Sequence, residues 1–377
     1  MNRWFVAVIA LAAAGPAWSA DYSRRPFGSM PDGSAVEAIT LTSAQGNSVT
    51  LITLGASVQS LMVKGRGGLL ADVALGYPDL RGYVDKPNYF GATVGRVANR
   101  IAKGRFTLDG HIYQTPVNDG PNALHGGVKG FDKVVWRVVS VEKGARASVT
   151  LRYDSPDGDQ GYPGAITATA IYAMDDHGDL SVDYTAVTDR PTVVNMSNHT
   201  YWNLAGEGTE RGALGEILTI PAEEYTPVDD TLIPTGEFRK VAGTVFDFRT
   251  PSPINRRVRD ARDEQIHFGR GYDHNWVVSR APAAAPRLMA RVEDPASGRV
   301  MEIFSRAPGI QFYSGNFLDG TIVGKAGKAY REGDAIVLEP QMFPDTPNRP
   351  DFGSVRLDPG QRYETKILYR FSVAAGG

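Results

Sequence analysis

Short runs of alternating apolar and polar residues, separated by glycine- and proline-rich turns, recur along this 377-residue chain. A strand with one buried face alternates in this way, because successive side chains point to opposite sides of a sheet. Residues 147–153 show the pattern, and Asp109-Gly110 supplies a two-residue turn between the β-prone flanks of 106–113. Residues 255–267 are the best helical candidate, but they are too charged to bury much. The sequence therefore predicts an all-β fold, a sandwich or a barrel, rather than α/β.

The first twenty residues differ from the rest. Arg3 precedes an apolar run at 4–14, and a glycine-proline break then leads to Ala17-Trp18-Ser19-Ala20. These are the parts of a secretory signal peptide, cleaved after Ser19 or Ala20, and the run is too short to span a bilayer comfortably. An uncleaved anchor is the alternative. No linker or repeat of fixed period divides 21–377, so we expect one domain. From the signal peptide we expect an exported protein, periplasmic or secreted, that is free of the membrane after cleavage.

Composition excludes several classes of function. The formal net charge is −2 and no run of Lys or Arg stands out, so nothing indicates a nucleic-acid partner. Zero cysteines exclude disulfides, thiolate nucleophiles and Cys-ligated zinc. The six histidines include no His-x-x-x-His pair, and the chain has no Gly-x-Ser-x-Gly, phosphate-binding loop or dinucleotide fingerprint. What remains is acid/base chemistry on an uncharged polar ligand, without a cofactor or a metal.

The polar stretch 195–206 follows a strand-like run and contains three asparagines by residue 203, together with a serine, a threonine, a tyrosine, a tryptophan and His199. Hydrogen-bonding side chains beside two aromatic rings suit a pocket for a polar, ring-shaped ligand such as a sugar. The alternative is a polar strand end in which His199 caps a neighbouring carbonyl.

Two earlier segments also offer hydrogen-bonding groups. Residues 95–101 carry two arginines and Asn99, and the second arginine is Arg100. They can donate to hydroxyl groups, or they can form a surface turn with solvated side chains. In 122–127, His125 precedes two glycines, which let the backbone pass close to a ligand.

Two later segments supply carboxylates. Asp273 lies among aromatic residues in 271–276 and can accept bonds from two hydroxyls, although an Asp in a turn is common. Glu339 follows the apolar run 335–338 directly. A carboxylate at the mouth of a buried strand is desolvated and can act as a base near neutral pH, whereas an ordinary strand-end Glu on the surface is the alternative.

Taken in order, these segments resemble the aldose 1-epimerase (galactose mutarotase) family over nearly the whole chain after residue 20. The matching segments are Gly-Arg-Val-Ala-Asn-Arg-Ile at 95–101, Asn-Ala-Leu-His-Gly-Gly at 122–127, Asp-Gly-Asp-Gln-Gly-Tyr-Pro-Gly at 157–164, Asn-His-Thr-Tyr-Trp-Asn-Leu at 198–204, Tyr-Asp-His-Asn at 272–275, Gly-Ile-Gln-Phe-Tyr-Ser-Gly-Asn at 309–316 and Glu-Pro-Gln-Met-Phe-Pro-Asp at 339–345.

The resemblance implies a large antiparallel β-sandwich of the galactose mutarotase-like supersandwich type, with the sugar in an open cleft. It also implies a cofactor-independent isomerase that interconverts the α and β anomers of free aldoses such as glucose or galactose, as a monomer or homodimer. Glu339 matches the catalytic base and His199 the catalytic acid. The residues matching sugar contacts are Asn99, Arg100, His125, Asp273 and Gln311.

To act as base and acid, Glu339 must be ionised while His199 is protonated. We therefore expect a cleft in which the negative and positive charges stabilise each other. Three other functions stay open. One is a carbohydrate-binding protein whose catalysis has lapsed, and another is an enzyme of this fold acting on a modified or phosphorylated sugar. The third is a glycoside hydrolase or lyase, for which Asp273 and Glu339 are the available carboxylate pair.

Overall fold

The structure, a computed structural model, describes residues 20–375, so all of the predicted signal peptide except Ala20 lies outside the described residues. Within 20–375 the chain forms thirty strands and two short α-helices, α1 Leu80–Asp85 and α2 Glu264–Gly269. Among these residues, no helix is both long and apolar enough to cross a membrane.

The strands of the first part of the chain are β1 Asp21–Ser29, β2 Ala35–Thr42, β3 Ser48–Ile52, β4 Ser57–Lys64, β5 Leu70–Asp72, β6 Ala92–Val94, β7 Arg100–Ile101, β8 Arg105–Leu108, β9 His111–Gln114 and β10 Ala123–Leu124. Those of the middle part are β11 Arg137–Glu142, β12 Arg146–Ser155, β13 Ile166–Asp175, β14 Leu180–Thr188, β15 Thr192–Val193, β16 Ser197–His199, β17 Tyr201–Trp202, β18 Ile217–Thr219, β19 Glu224–Thr226 and β20 Arg239–Lys240. Those of the last part are β21 Ser252–Pro253, β22 Asp273–Val277, β23 Arg287–Glu293, β24 Arg299–Ser305, β25 Gly309–Tyr313, β26 Asp319–Val323, β27 Ala329–Arg331, β28 Ile336–Gln341, β29 Arg356–Leu357 and β30 Tyr363–Val373.

Three sheets form the body of the structure. Their strand orders are β1-β2-β3-β4-β5, β11-β12-β13-β14-β30-β24-β23-β18-β21 and β17-β28-β25-β22-β19-β20, and five two-stranded pairs complete the set. All pairings between these strands are antiparallel. Antiparallel neighbours are typical of hairpin-connected strands with turns as short as those of this chain.

One hydrophobic cluster joins the three sheets. It contains Leu51 from the five-stranded sheet, Tyr172 and Tyr369 from the nine-stranded sheet, and Trp202 from the six-stranded sheet. The rings of Trp202 and Tyr369 lie 4.9 Å apart between centroids, so the six- and nine-stranded sheets pack directly on each other. The prediction of an all-β sandwich is confirmed.

The predicted hairpin is present in the structure, whereas the best helical candidate is not one continuous helix. The Asp109-Gly110 hairpin is confirmed, because β8 and β9 pair on either side of this turn. In the helical candidate at 255–267, however, a 3₁₀ turn ends at Arg256 and α2 begins only at Glu264. The charged residues between them have too little apolar surface to hold a continuous helix against the sheets.

The three strands of the six-stranded sheet that carry site residues are buried on both faces. Every residue of β22, β25 and β28 is buried. Because side chains alternate along a strand, Leu338 packs into the shared hydrophobic cluster while its neighbour Glu339 faces the other way. Loops from the first half of the chain cover that second face and form the walls of a cleft over it.

Candidate active site

A cleft of about 180 Å³ lies over the second face of the six-stranded sheet. Six of the seven residues predicted as site residues line it. They are Asn99, Arg100, His125, His199, Asp273 and Glu339. The seventh, Gln311, is buried beside Asp273 and donates from Nε2 to Asp273 Oδ1 at 2.7 Å. Segments separated by more than two hundred residues of sequence therefore meet at one place.

Glu339 lies on the floor of the cleft, which the six-stranded sheet forms. It belongs to β28, pairs directly with Gln311 of β25, and is 2% exposed. Its Oε1 lies 3.8 Å from Nε2 of His199. Its Oε2 is buried and has no hydrogen-bond partner within the described chain. The alternative of a solvated surface glutamate is therefore wrong for this residue.

His199 is the last residue of β16, whose pairing with β6 fixes the backbone opposite Ala92. Its ring is enclosed by three others, with centroids 5.0 Å from His125, 5.1 Å from Tyr201 and 5.6 Å from Tyr89. Its Nδ1 is buried without a partner among residues 20–375. The ring thus points its Nε2 at Glu339 and does not cap a carbonyl.

His125 is held by a reciprocal pair of bonds to Asn99. The N–H of His125 donates to the carbonyl of Asn99 at 3.0 Å, and the N–H of Asn99 donates to Nδ1 of His125 at 3.1 Å. Because Nδ1 accepts, the neutral imidazole carries its proton on Nε2 and can donate to a ligand hydroxyl. Both residues have left-handed backbone, with φ of +51° for His125 and +63° for Asn99.

The glycine after His125 has a different role from the one expected. A Cβ added to Gly126 would lie 1.9 Å from the carbonyl oxygen of Gly95, and its φ is +93°. The missing side chain therefore lets two segments of the protein backbone approach each other. Space for a ligand is not what requires this glycine.

Arg100 lies between two carboxylates. Its Nε donates to Asp119 at 2.7 Å and its Nη2 donates to Asp273 at 3.2 Å. Burial alone would lower the pKa of the guanidinium, but these two carboxylates outweigh burial and raise it. Asp273 in turn accepts from both Arg100 and Gln311, so this network fixes a ring of donors and acceptors at one end of the cleft.

Arg96, only four residues earlier, points away from the cleft. It is 2% exposed, and its two terminal nitrogens donate to the carbonyls of Pro163, Gly164 and Pro156 and to the hydroxyl of Ser155. It therefore ties down the loop that contains much of the 157–164 motif. Neither the sugar-binding nor the solvated alternative applies to this arginine.

Most polar residues of the stretch 195–206 also serve the framework. Ser197 Oγ donates to the carbonyl of Pro340 at 2.8 Å, and Asn203 Nδ2 donates to the carbonyl of Asp334 at 2.8 Å. Of this stretch only His199 and Tyr201 line the cleft. The prediction that its polar density forms a sugar pocket is therefore only partly right, because most of these groups satisfy buried backbone carbonyls.

The protonation of Glu339 and His199 differs from the expected ion pair. Burial lowers the pKa of His199 to about 4 and raises that of the Glu339 carboxyl well above its ordinary value. Both shifts favour a neutral imidazole and a protonated carboxyl. In the cleft as the structure describes it, the expected ion pair is therefore not the favoured form, although the two groups lie 3.8 Å apart.

His125, His199 and Glu339 have potential ligand atoms within 4.8 Å of one another, close enough to consider a metal. Zinc and similar ions need a free lone pair on each histidine. The Nδ1 of His125 already accepts the Asn99 N–H, which places a proton on the nitrogen that would otherwise face the ion. Only two donors remain, so this set does not fit a three-ligand protein site.

The sequence did not point to several residues of the cleft wall. Tyr89 has left-handed backbone, with φ of +56°, and its ring lies 4.8 Å from that of His125. Phe317 stacks on Tyr313 at 5.9 Å and is 49% exposed at the rim. Asp119, the partner of Arg100, lies three residues before the segment 122–127, and only that proximity was available as a signal.

Comparisons with known proteins agree with this geometry. The sequence model of the family described as "Aldose 1-epimerase" matches residues 37–370. Galactose mutarotase of Rattus norvegicus is 45% identical over 353 residues, which cover 93% of this chain and 99% of that protein. Aldose 1-epimerase of Escherichia coli is 36% identical over 343 residues, covering 90% and 96%.

Solved structures are similar over the same length. The crystal structure of galactose 1-epimerase from Lactobacillus acidophilus gives a TM-score of 0.81 at 28% identity and covers 94% of this chain and 99% of that one. A crystal structure of an aldose epimerase homologue from C. elegans gives 0.79 at 31% identity, covering 89% and 98%. The resemblance seen in the sequence motifs is thereby confirmed. The chain belongs to the aldose 1-epimerase family.

Proposed function

We propose that this protein catalyses the interconversion of the α and β anomers of free aldoses such as galactose or glucose. The observation that carries the proposal is the facing pair of Glu339 and His199, 3.8 Å apart on the floor of a cleft lined by fixed hydrogen-bonding groups. Full-length similarity to proteins named galactose mutarotase and aldose 1-epimerase supports the same reaction.

In the proposed reaction Glu339 takes the proton from the C1 hydroxyl while His199 gives a proton to the ring oxygen O5. The electrons of the O1–H bond form the C1=O1 carbonyl, and the C1–O5 bond breaks to leave an open-chain aldehyde. Rotation about C1–C2 presents the other carbonyl face. O5 then attacks C1, His199 recovers the O5 proton, and Glu339 returns a proton to O1. No net proton leaves the site.

Glu339 and His199 share one transferable proton, which lies either on the carboxyl or on the imidazole as its second proton. Moving this proton from Glu339 to His199 gives the active form without exchange with solvent. In the cleft alone, burial favours a protonated carboxyl and a neutral imidazole. A bound sugar places O5 where it accepts from His199 and the C1 hydroxyl where it donates to Glu339. Both hydrogen bonds stabilise the form with the charges separated.

The remaining cleft residues suit recognition of the hydroxyls away from C1. The Nε2–H of His125 is free to donate in the tautomer that the Asn99 N–H selects. Arg100 and Asp273 present donors and acceptors that their mutual contacts hold in place. We assign sugar binding to these three residues, and to Asn99 and Gln311 the positioning of His125 and Asp273 respectively.

The three alternative functions have less support from the site. A phosphorylated sugar needs a cation that is not already neutralised, but Arg100 contacts two carboxylates and Arg96 is buried against carbonyls outside the cleft. Hydrolysis through Asp273 and Glu339 needs one of them as a mobile acid or nucleophile. Asp273 is instead held by Arg100 and Gln311. A binding protein with lapsed catalysis does not require both Glu339 and His199.

The test is polarimetry on freshly dissolved α-galactose and α-glucose, with purified protein and with buffer alone. We expect the protein to accelerate the approach to equilibrium rotation for at least one sugar, and to leave methyl α-galactoside unchanged because its C1 oxygen has no proton to remove. Acceleration confined to a phosphorylated sugar would favour that alternative. Rates equal to buffer for all free sugars would contradict the proposal.

We also propose export of the protein, a single domain over residues 21–377, and a monomeric or homodimeric state. The signal-like features of residues 1–20 and the absence of linker-like composition after them support the first two. N-terminal sequencing of protein from fractionated cells should find a chain beginning at Ala20 or Asp21 outside the cytoplasm. A chain beginning at residue 1 or 2 in the cytoplasm would contradict export. Light scattering decides the oligomeric state.

A further inference from the structure

A row of polar side chains continues from Glu339 across the buried sheet. The pairing of β22, β25 and β28 places Asn275 opposite Gln311 and Gln311 opposite Glu339, so all three side chains share one face. Two residues further along β28, on the same face, lies Gln341. Each of the four is 3% exposed or less.

Most polar atoms of this row lack protein partners. Within residues 20–375, both amide atoms of Asn275 and of Gln341, Oε1 of Gln311 and Oε2 of Glu339 are buried without a hydrogen bond. Leaving a buried polar atom unpaired is costly, and native structures satisfy nearly all of them. Six such atoms on four neighbouring side chains are therefore best explained by a built polar site.

Gly309 allows two side chains to pack closely against the backbone beside this row, because a Cβ there would meet both the Asn275 amide and the ring of Phe343. A Cβ on Gly309 would lie 2.3 Å from Oδ1 of Asn275, so the Asn275 amide leans over this glycine. Gly309 pairs directly with Gln341, which brings the Asn275 and Gln341 side chains to either side of the same position. A larger residue at 309 would therefore displace the Asn275 amide or the Phe343 ring.

The last residue of the row borders a second cavity. Gln341 lines this cavity of about 270 Å³ together with Asn195 and Thr365, and none of these three residues lines the sugar cleft. The Asn195 amide already bonds the backbone of Met342 through both of its atoms. Among the residues that line this cavity, Gln341 is the one whose buried side-chain atoms lack a hydrogen bond within the described chain.

We propose that ordered water molecules occupy this row, bridging the Gln341 and Asn275 amides to Oε2 of Glu339, and that they stabilise the ionised carboxylate from behind the sugar cleft. A buried water bonds about three polar groups, and this row offers donors and acceptors in that number. The two carboxylate oxygens then have separate surroundings. Oε1 faces His199 and the sugar, and Oε2 faces the water. The inference deepens the proposed function and rests on Glu339 as its base.

Other charged and titratable groups also act on Glu339 and must stay constant in a test. Those facing it or interacting with it from the surrounding elements are His199, His125, Arg100, Asp273, Tyr201, Tyr313 and Tyr369. The charged residues lining the second cavity are Arg306, Arg356, Arg362 and Glu364. Substitutions of Gln341 and Asn275 alter none of these charges, so a change in Glu339 titration reports on the amides and their water.

The experiment is an infrared titration of the full chain, in which the C=O band of protonated Glu339 is assigned by its loss in Glu339→Gln. We expect the titration midpoint to rise by about one pH unit in Gln341→Met and in Asn275→Leu, because a hydrogen bond to the carboxylate is lost. The matched control is Thr365→Val, which removes a polar group from the same cavity outside the row. It should leave the midpoint unchanged. Midpoints in both test variants equal to that of the wild type would overturn the proposal.

A high-resolution crystal structure of the wild-type protein gives an independent readout. Water density within hydrogen-bond distance of Glu339 Oε2 and of either amide supports the inference. Direct pairing of the two amides with each other or with Oε2, with no water between them, overturns it. Both readouts work without enzymatic turnover. Wild-type protein that is inactive on free sugars would therefore overturn the proposed function while these measurements still decide the water site.

Discussion

The two faces of the six-stranded sheet are built from the same three strands but differ in the chemistry of the side chains around Glu339. On one face, Trp276 and Phe312 pack with ring centroids 5.7 Å apart, and Leu338 joins the same hydrophobic cluster. On the other face, one residue along each strand, lie Asn275, Gln311 and Glu339. Both faces are buried, so burial alone does not separate framework from site.

What separates them is whether the protein itself satisfies the buried groups. The apolar face needs only close packing, which its neighbours supply. The polar face keeps hydrogen-bonding capacity free, including Oε2 of Glu339 and Oε1 of Gln311, for which the described chain offers no partner. The apolar face should therefore determine stability, and the polar face should determine activity at little cost to folding.

The largest expected effects come from substitutions of two adjacent residues of β28, one on each face of the sheet. Glu339→Gln removes the base, and we expect kcat/KM to fall by about a thousandfold with the melting temperature unchanged or raised. Leu338→Ala opens a cavity and should cost about 3 kcal/mol of unfolding free energy, with kcat/KM of the folded enzyme within about tenfold of wild type. Polarimetry and urea unfolding measure the two effects. The opposite pattern in either variant would refute the division of roles.

The two arginines of the segment 95–101 extend the comparison to loops. Arg96→Met strips donors from buried carbonyls and should cost about 3 kcal/mol of stability with little change in kcat/KM. Arg100→Lys loses the fork that contacts Asp119 and Asp273 and should lower kcat/KM by about tenfold to a hundredfold. Equal effects of both changes on activity would place Arg96 in the site after all.

A smaller effect concerns the pH dependence of stability. Burial lowers the pKa of His199 to about 4, that of His274 to about 3, and that of His125 well below its ordinary value. In the unfolded chain these histidines bind protons near pH 6.5, whereas the folded protein takes them up only at lower pH. Their contribution to stability is therefore full above pH 6.5 and is lost as the pH falls below it.

Between pH 6.5 and 5, each of these histidines should lower the unfolding free energy with a slope that approaches one proton, or about 1.4 kcal/mol per pH unit. The raised pKa of the Glu339 and Glu216 carboxyls acts in the opposite direction, so the net slope is smaller than the sum over the histidines. In His274→Gln the slope should fall by about one proton. Urea unfolding at several pH values measures it. Equal slopes in the wild type and in His274→Gln would show that His274 is already protonated in the folded protein.

The smallest effect belongs to the polar framework beside the cleft. Asn203 donates to the carbonyl of Asp334 and accepts from the N–H of Ala205, and neither bond reaches the cleft. Asn203→Ala should cost about 1 kcal/mol of stability and leave kcat/KM within about twofold. A large loss of activity in a stable variant would mean that the stretch 195–206 contributes more to the sugar site than His199 and Tyr201.

Much of the fold could be predicted because it depends on local pattern. Alternation marks strands such as residues 147–153, and Asp-Gly marks the turn of a hairpin. The order of strands in the sheets could not be predicted in this way. Pairings such as that of β14 with β30 join residues nearly two hundred positions apart, and alternation says nothing about which strands are neighbours.

The candidate site was found through motif resemblance, and chemistry alone separated its residues poorly. Arg96 and Arg100 have the same side chain and similar sequence surroundings, yet one binds carbonyls and the other lies in the cleft. Tyr89 gave no signal because its role depends on a left-handed backbone and on rings from distant segments. The protonation of the Glu339 and His199 pair depends on burial, which a sequence does not reveal.

Glu339 and His199 should act together in anomer exchange. Exchange NMR on an equilibrium mixture of galactose anomers measures this in wild type, Glu339→Gln and His199→Asn at equal concentration. We expect exchange well above the buffer rate for wild type and a loss of most of it in both variants, with the sugar still bound. Wild-type exchange at the buffer rate, or full exchange in either variant, would contradict it.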